Sequence, residues 1–294
     1  MTSAIDLSRL PVPDVIETLD FETILSEQLA GLIQRDETFT ALLESDPAMK
    51  VLQVTAYREL LLRQRVNEAA RAVMLAYAMK NDLDQLGALM NVARLELSPA
   101  DPANNIAAVM ESDEDFRKRI QLAPQGFSVA GPQGAYIFHA LGADARVLDV
   151  AVSSPVAGQV LVTVLSREGN GMASNELLDT VLQRLGSDDV RPLTDEVLVQ
   201  SALIIPYSVH ARLFTLPGPD ATVVMKEANQ RIQRYALDTH AIGCTPTLSG
   251  IYAALHVAGV GRVELITPTT DIAISHVEAP WCEAIDIAYG GIVE

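Results

Sequence analysis

The segment YRELLLRQRVNEAARAVMLAYA, residues 57–78, predicts an uninterrupted helix because it contains neither proline nor glycine. Leucine, alanine and arginine make up much of it, and all three favour helix formation. Upstream, Asp46 precedes Pro47, a typical pair for the cap and the first position of a helix. No residue that breaks a helix follows until about Met79. The sequence therefore predicts one helix of about 33 residues, or about 50 Å.

Apolar residues lie on two sides of this predicted helix. Leu62, Val66, Ala69 and Val73 repeat with the spacing of a seam between packed helices. A second row comprises Leu60, Leu61, Met74, Leu75 and Tyr77. The helix could be central to one globular bundle, or it could be shared with other chains. The helical region offers few other helices to cover both sides, which favours a helix seam between chains.

The chain divides into four predicted regions, and the fold class is α+β. Residues 1–20 contain Pro11 and are expected to form an extended arm, folded on its own domain or lying across a neighbour. Residues 21–110 form a helical, bundle-forming domain with one long helix. Residues 111–201 and 202–294 each alternate predicted strands and helices, and we expect two small related α/β domains.

A weak internal repeat supports the relation between the two α/β domains. Five positions of the first copy match five of the second at a constant offset. They are Tyr136, Leu141, Arg146, Val147 and Val150, matched by Tyr252, Val257, Arg262, Val263 and Ile266. Each copy reads as a short helix, a turn of small residues and a strand, which is typical of a duplicated unit.

The composition restricts the classes of partner. The 294 residues carry 38 acidic and 21 basic side chains, a net charge of -17. Such a chain repels phosphate backbones, so nucleic-acid binding would require a concentrated basic patch, and the basic clusters here are interrupted by carboxylates. The longest apolar run is too short and too charged for membrane insertion. Two separated cysteines and a start without a secretory pattern predict synthesis in the cytoplasm.

Residues with the pattern of a catalytic, cofactor-binding or metal site are not found in the sequence. The five histidines and two cysteines show no zinc spacing, although Cys244, His256, His276 and Cys282 could meet in space. GNGMAS at 169–174 lacks the lysine of a phosphate loop and predicts a turn with a helix cap. The acidic cluster is expected to serve the start of a helix capped by Ser112. Its members are Glu111, Asp113, Glu114 and Asp115.

Several blocks along nearly the whole chain resemble one family. They are IDLSRLPVPDVIETLDFETIL from residue 5, AYRELLLRQRVNEAARAVMLAYA from residue 56, LDQLGALMNV from residue 83, ESDEDFRKRIQLAPQGFSVAGPQGAYIFHAL from residue 111, VRPLTDEVLVQSA from residue 190 and LSGIYAALHVAGVGRVEL from residue 248. The sequence resembles the baseplate assembly protein J family of contractile phage tails and R-type pyocin particles.

The resemblance implies a structural wedge subunit, assembled into a virion tail or pyocin baseplate as part of the ring around the tail hub. Its implied partners are a second copy of itself, a baseplate protein I-type subunit, a W-type subunit next to the sheath, and the hub. Reorientation of the α/β domains would trigger sheath contraction, with a hinge at Gly126, Gly131 and Pro132. The main alternative is a ligand-binding or enzymatic α/β protein with a helical oligomerisation domain. An assembly chaperone absent from mature particles is a second alternative.

Overall fold

A computed structural model describes residues 5–128, 130–188, 190–192, 194–218 and 220–293, without the side chain of Ser8. The described residues contain eight α-helices and eight strands, so the predicted α+β class is confirmed. They form two compact units. The first comprises the chain up to Arg94 together with Ser112–Gln121, and the second comprises Leu95–Glu111 together with the chain from Leu122 onwards. The four predicted regions stay a prediction.

The first unit is helical. Its helices are α1 (Phe21–Arg35), α2 (Pro47–Ala72), α3 (Lys80–Leu89) and the first part of α4 (Asp113–Gly126), with short 3-10 turns at Leu7–Arg9 and Glu37–Ala41. Asp20 caps α1, because its carboxylate accepts a hydrogen bond from the Thr23 N–H at 2.8 Å. α1 packs against α2.

The long helix is shorter than the sequence predicts. It was expected to reach about Met79, but α2 ends at Ala72 and the chain turns before α3. The guanidinium group of Arg117 donates to the carbonyl oxygens of Leu75 and Ala78, both at 2.7 Å. In a helix that reached Met79, the Leu75 carbonyl oxygen would instead accept the Met79 N–H. A contact from a distant part of the chain thus holds the turn that follows α2, in a segment that has no helix breaker of its own.

Proline and glycine residues recur from residue 123 onwards, which is typical of a loop, but the loop begins later. α4 continues through Pro124 to Gly126, so residues 123–126 are helical. The ring of Phe138 lies so close to Gly126 that a β-carbon at this position would overlap it. This packing against the next helix holds the last turn of α4, which local sequence did not predict.

The second unit contains four further helices and all eight strands. The helices are α5 (Gln133–Leu141), α6 (Asn175–Leu185), α7 (Ala221–Asp238) and α8 (Leu248–Leu255). The strands are β1 (Glu96–Ser98), β2 (Val109–Met110), β3 (Val147–Ser153), β4 (Gln159–Ser166), β5 (Glu196–Ser201), β6 (Leu203–Thr215), β7 (Val260–Thr267) and β8 (Glu278–Ile292). β1 and β2 form a small pair that the sequence did not predict.

The two larger sheets share one layout but differ in chain order. The order is β3-β4-β5 in the first sheet and β7-β6-β8 in the second. In each, the central strand is antiparallel to one edge strand and parallel to the other. The repeated helix–strand units, α5–β3 and α8–β7, supply the antiparallel edge in both sheets. In the chain, α5–β3 precedes the central strand β4, whereas α8–β7 follows the central strand β6. The two modules therefore contain similar elements in a different chain order.

Each module has its own apolar core, and a third cluster connects them. The first core includes Tyr136, Val162 and Leu177, and the second includes Leu213, Ile232 and Leu255. The connecting cluster consists of the buried Leu165, Ala202 and Ala279, flanked by Leu148, Ile204 and Ile242. Beside this cluster the Asp149 carboxylate accepts a hydrogen bond from the Ile242 N–H at 2.9 Å.

Candidate assembly surface

The predicted helix seam lies on the exposed side of α2. Leu62, Val66 and Val73 are 69%, 61% and 70% exposed, and Ala69 is exposed as well. Leu62, Val66 and Ala69 lie on the helix, whereas Val73 is the residue that caps it. The structure thus places the four predicted seam residues at the protein surface. Whether another chain covers them stays a prediction.

α1 and the arm cover the other side of α2. The Gln28 amide nitrogen donates to the Glu59 carboxylate, and the Thr55 hydroxyl donates to the Gln28 amide oxygen, both at 2.8 Å. Met49, Ala56 and Asn67 are the buried residues of α2. α2 therefore has one face packed within its own unit and one face exposed. The packed face is covered by the arm and by α1, which has 15 residues against the 26 of α2.

The N-terminal arm folds back on its own unit. Asn67, only 4% exposed, accepts a hydrogen bond from the Glu17 N–H at 3.1 Å and donates to the Glu17 carbonyl oxygen at 2.9 Å. Gln121 donates to the Ile5 carbonyl oxygen at 3.0 Å. These contacts hold the described part of the arm on its own unit, and an arm that lies across a neighbour stays a prediction.

The exposed apolar surface is larger than the predicted seam. Val51, Val54 and Tyr57 are also exposed on α2, upstream of Leu62. Val51 lies about three helical turns before Leu62, which returns it to the same face. Arg58 and Arg65 are exposed between these apolar side chains. The 4-3 spacing of the seam, continued upstream, leads to Glu59, Thr55 and Leu52 and does not indicate Val51.

The predicted acidic cluster serves structural contacts. The Ser112 hydroxyl accepts a hydrogen bond from the Asp115 N–H at 3.1 Å, which confirms the predicted cap. Asp113 pairs with Arg94 at 2.8 Å and accepts the Lys80 N–H at 3.1 Å. Burial raises the pKa of Asp113, but the Lys80 N–H and the Arg94 guanidinium more than offset it, so the pKa is lowered. Arg94 also bonds Asp84 at 2.8 Å.

Below this network, Phe116 is fully buried. The guanidinium carbons of Arg94 and Arg119 lie 4.6 Å and 5.7 Å from the centre of its ring, which are cation–π distances. Gly87 lies against the tip of the ring, with no room for a β-carbon. Phe116 thus fixes α3 against the start of α4.

The predicted hinge residues lie in packed or capping positions of the second unit. Gly126 ends α4, and Gly131 has a φ of 72° and lies close to Pro192 and Asp195. Pro132 caps α5. Asp195 also accepts a hydrogen bond from the Tyr136 hydroxyl at 2.8 Å, and together with burial it raises the pKa of that hydroxyl. Val129, within the predicted hinge segment, is outside the described residues.

The residues considered for chemistry form ordinary structural contacts. Among the described residues, no group of three histidine, cysteine or acidic side chains could hold a metal ion. Cys244 and Cys282 are free thiols, and burial raises the pKa of each. In the GNGMAS turn, Ser174 caps α6 by accepting the Leu177 N–H at 3.3 Å, as predicted. Within the described ranges, every helix is too short or too polar to span a bilayer.

The matches to family models and to a known protein agree with each other. The chain matches the family models of the Baseplate J-like N-terminal domain over residues 44–101 and the Baseplate J-like central domain over residues 128–201. It is similar to baseplate protein J of Escherichia phage P2, with 49% identity over 296 residues and 98% coverage of each chain.

One solved structure gives a more distant match, the cryo-EM structure of the anti-feeding prophage baseplate. Its TM-score is 0.40 at 15% identity, over 62% of this chain and 43% of that chain. The phage P2 protein, in contrast, matches nearly end to end at close to half of all positions. On that match, the chain belongs to the baseplate protein J family.

Proposed function

We propose that this chain is a structural wedge subunit of a contractile tail baseplate, forming part of the ring around the hub. Membership of the family makes it a structural component of a phage tail baseplate. The finer proposal is that the chain reorients within the ring and thereby triggers contraction of the sheath.

The exposed apolar side of α2 carries this proposal. Leu62, Val66 and Val73 expose most of their surface. Full burial of such a side chain contributes about 1.5–3 kcal/mol, so a complementary helix from another chain would be held firmly. We propose a second copy of the chain and a baseplate protein I-type subunit as the helix partners. A W-type subunit and the hub are proposed as further neighbours.

We assign no catalytic activity to the chain. The described groups with lowered pKa are helix caps and ion pairs. Asp20, Asp36 and Asp220 each accept backbone N–H groups at the start of a helix. The Asp144 carboxylate accepts hydrogen bonds from Arg146, which lower its pKa. Structural contacts account for these shifts, and the phage P2 relative is itself a baseplate protein.

Reorientation is proposed to occur about the segment 123–134. The helical region would stay fixed through the α2 seam, and the two α/β modules would move. Structures of extended and contracted baseplates would test this step. Superposition without any change between residues 1–110 and 130–294 would overturn the hinge.

The seam is tested by light-scattering mass measurements. The chain is purified alone and co-expressed with the I-type subunit from the same gene cluster. We expect self-association alone and a stable mixed complex on co-expression. The triple variant L62D, V66D and V73D should lose the complex, because charged side chains would be buried at the seam.

The matched control is the double variant V223D and L237D on α7. These side chains are as exposed as those of the seam but lie on another helix. This variant should keep the mixed complex. A monomeric wild-type chain that ignores the I-type subunit would contradict the proposal.

A further inference from the structure

The last strand, β8, has one open edge. It is the longest strand of the described chain, and it pairs only with β6. At the start of β8, the carbonyl oxygens that face away from β6 already have partners. The Glu278 oxygen accepts the Gly243 N–H, and the Pro280 oxygen bonds the His240 ring. Beyond Pro280, the described residues supply no strand on that side. An open edge presents backbone donors and acceptors that can pair with a further strand.

The regular part of this edge is 284–289. The register of β8 against β6 shifts near Tyr207 and again near Phe214, and the pairing between these points is continuous. Ile285, Ile287 and Tyr289 pair with Val209, Ala211 and Leu213 of β6, which are buried. These three β8 side chains therefore point to the helix-covered side of the sheet. They are only partly covered there, and Tyr289 remains 49% exposed.

The opposite side of the same segment is polar and small. Ala284, Asp286 and Ala288 pair with Ser208, His210 and Arg212. From Trp281 to Ile292 the strand contains no lysine or arginine, the residues that usually discourage pairing at an edge. β7, at the other edge of the sheet, carries Arg262 and Glu264, which pair at 2.9 Å.

We propose that the β8 edge pairs antiparallel with β8 of a second copy, about a two-fold axis at Ile287. The two three-stranded sheets would then form one six-stranded sheet. In this register Ile287 lies opposite its own counterpart, and Ile285 of each chain lies opposite Tyr289 of the other. Pairs of an aromatic and a β-branched residue are favourable across antiparallel strands.

The charges of β8 favour a second copy as the occupant. With the axis at Ile287, each Asp286 lies opposite Ala288 of the other chain, and no two carboxylates of the regular segment face each other. The partly covered row of Ile285, Ile287 and Tyr289 would join an identical row, with helices on the same side in both chains. The edge is therefore complementary to itself. This interface is distinct from the α2 seam and does not depend on the proposed role of that seam.

The first test measures dimerisation of the full-length chain by sedimentation velocity. All variants carry L62D, V66D and V73D, so that association through α2 does not contribute. A288D places a carboxylate opposite Asp286 of the other copy, and we expect dimerisation to weaken at least about tenfold. Adding D286R to A288D places opposite charges across the axis and should restore dimerisation.

The control is I266D, which adds the same charge at the β7 edge, where the side chain is exposed. It should dimerise like the parent. Unchanged dimerisation in A288D, or no restoration in the double variant, would overturn the proposed register.

A second test uses cross-linking and does not depend on the strength of the dimer. In a C244S, C282S background, I287C places a thiol opposite its counterpart, and diamide oxidation should give a disulfide-linked dimer. I266C, at the other edge of the sheet, should stay monomeric. No cross-link from I287C would overturn the proposal. A cross-link only to a co-expressed baseplate subunit would also overturn it, because the edge would then serve a different chain.

Discussion

At the scale of single residues, a few side chains decide how the helical unit is held together. Phe116 lies between two guanidinium groups and a glycine, and Asp113 connects Arg94 with the backbone of Lys80. The sequence predicted the helix start around Asp113 but none of these contacts. Residues 19 to 33 positions apart in sequence meet here, which local patterns do not reveal.

The first prediction concerns the space beside Phe116. In G87A the new β-carbon would overlap the Phe116 ring and lie 2.8 Å from the Val92 carbonyl oxygen. We expect a loss of about 1–3 kcal/mol in the free energy of unfolding, since overpacking displaces the ring. Urea denaturation followed by circular dichroism would measure it.

The control for G87A is G31A in α1. A β-carbon there meets only the flexible end of Arg35 at 3.3 Å, so this variant should be neutral or slightly stabilised. Equal effects of the two substitutions would contradict the packing described for Phe116.

The second prediction concerns pH. The pKa of folded Asp113 lies below its ordinary value of 3.8. Its contribution to stability is therefore present above about pH 4 and is lost as the pH falls through the folded pKa. At pH 7 we expect D113N to be less stable by about 1–3 kcal/mol, and the difference should shrink below pH 4.

Unfolding free energies measured at neutral and acidic pH would show this convergence. E114Q, on the same turn of α4, is the control because the Glu114 side chain is 63% exposed. It should change stability little at either pH. A gap between wild type and D113N that persists at low pH would exclude the ionic contribution.

At the scale of elements, the sequence predicted most helices and strands of the second unit, because caps, glycines and alternating apolar residues mark them locally. α6 and its Ser174 cap are one example. The end of α2 could not be predicted, since Arg117 fixes it from about 40 positions away. The apolar spacing found Leu62, Val66, Ala69 and Val73 on the candidate surface. It missed Val51, because the 4-3 spacing continued upstream of Leu62 reaches Glu59, Thr55 and Leu52 instead.

The third prediction tests how α2 ends. R117M would leave the carbonyl oxygens of Leu75 and Ala78 without their donors, at a cost of about 1–3 kcal/mol. We expect faster amide hydrogen exchange across 73–79 by mass spectrometry, and lower stability.

K118M, one residue further on α4, is the matched control. The Lys118 side chain is 62% exposed and pairs with Glu114 and Asp115 on its own helix, so its loss should leave exchange in 73–79 unchanged. Equal exchange in both variants would mean that α2 ends for another reason.

At the scale of the whole second unit, two α/β modules with permuted chain order are joined by a small apolar cluster. Gly171 lies at this junction, where a β-carbon would come within 2.9 Å of the His240 ring. His240 in turn lies 5.1 Å from the Trp281 ring. The sequence predicted two modules but not the junction, because it depends on side chains from both.

The fourth prediction tests this junction. Gly169 and Gly171 both have positive φ, but only Gly171 lacks space for a side chain. We expect G169A to lose about 1 kcal/mol from backbone strain alone, and G171A to lose about 1–3 kcal/mol more. Thermal unfolding followed by Trp281 fluorescence would measure both. Equal losses would show that the modules are not packed closely at this point.

The chain order of the second sheet also determines when β8 can form during synthesis. β6 is the central strand, but both of its neighbours follow it in sequence, and β8 is the later of the two. Domains fold in order as they leave the ribosome. The first sheet can therefore close before β8 has been synthesised, whereas the second sheet cannot. An edge that pairs with copies of itself would thus be absent until β8 has left the ribosome, so that shorter nascent chains on one messenger RNA could not join through it prematurely.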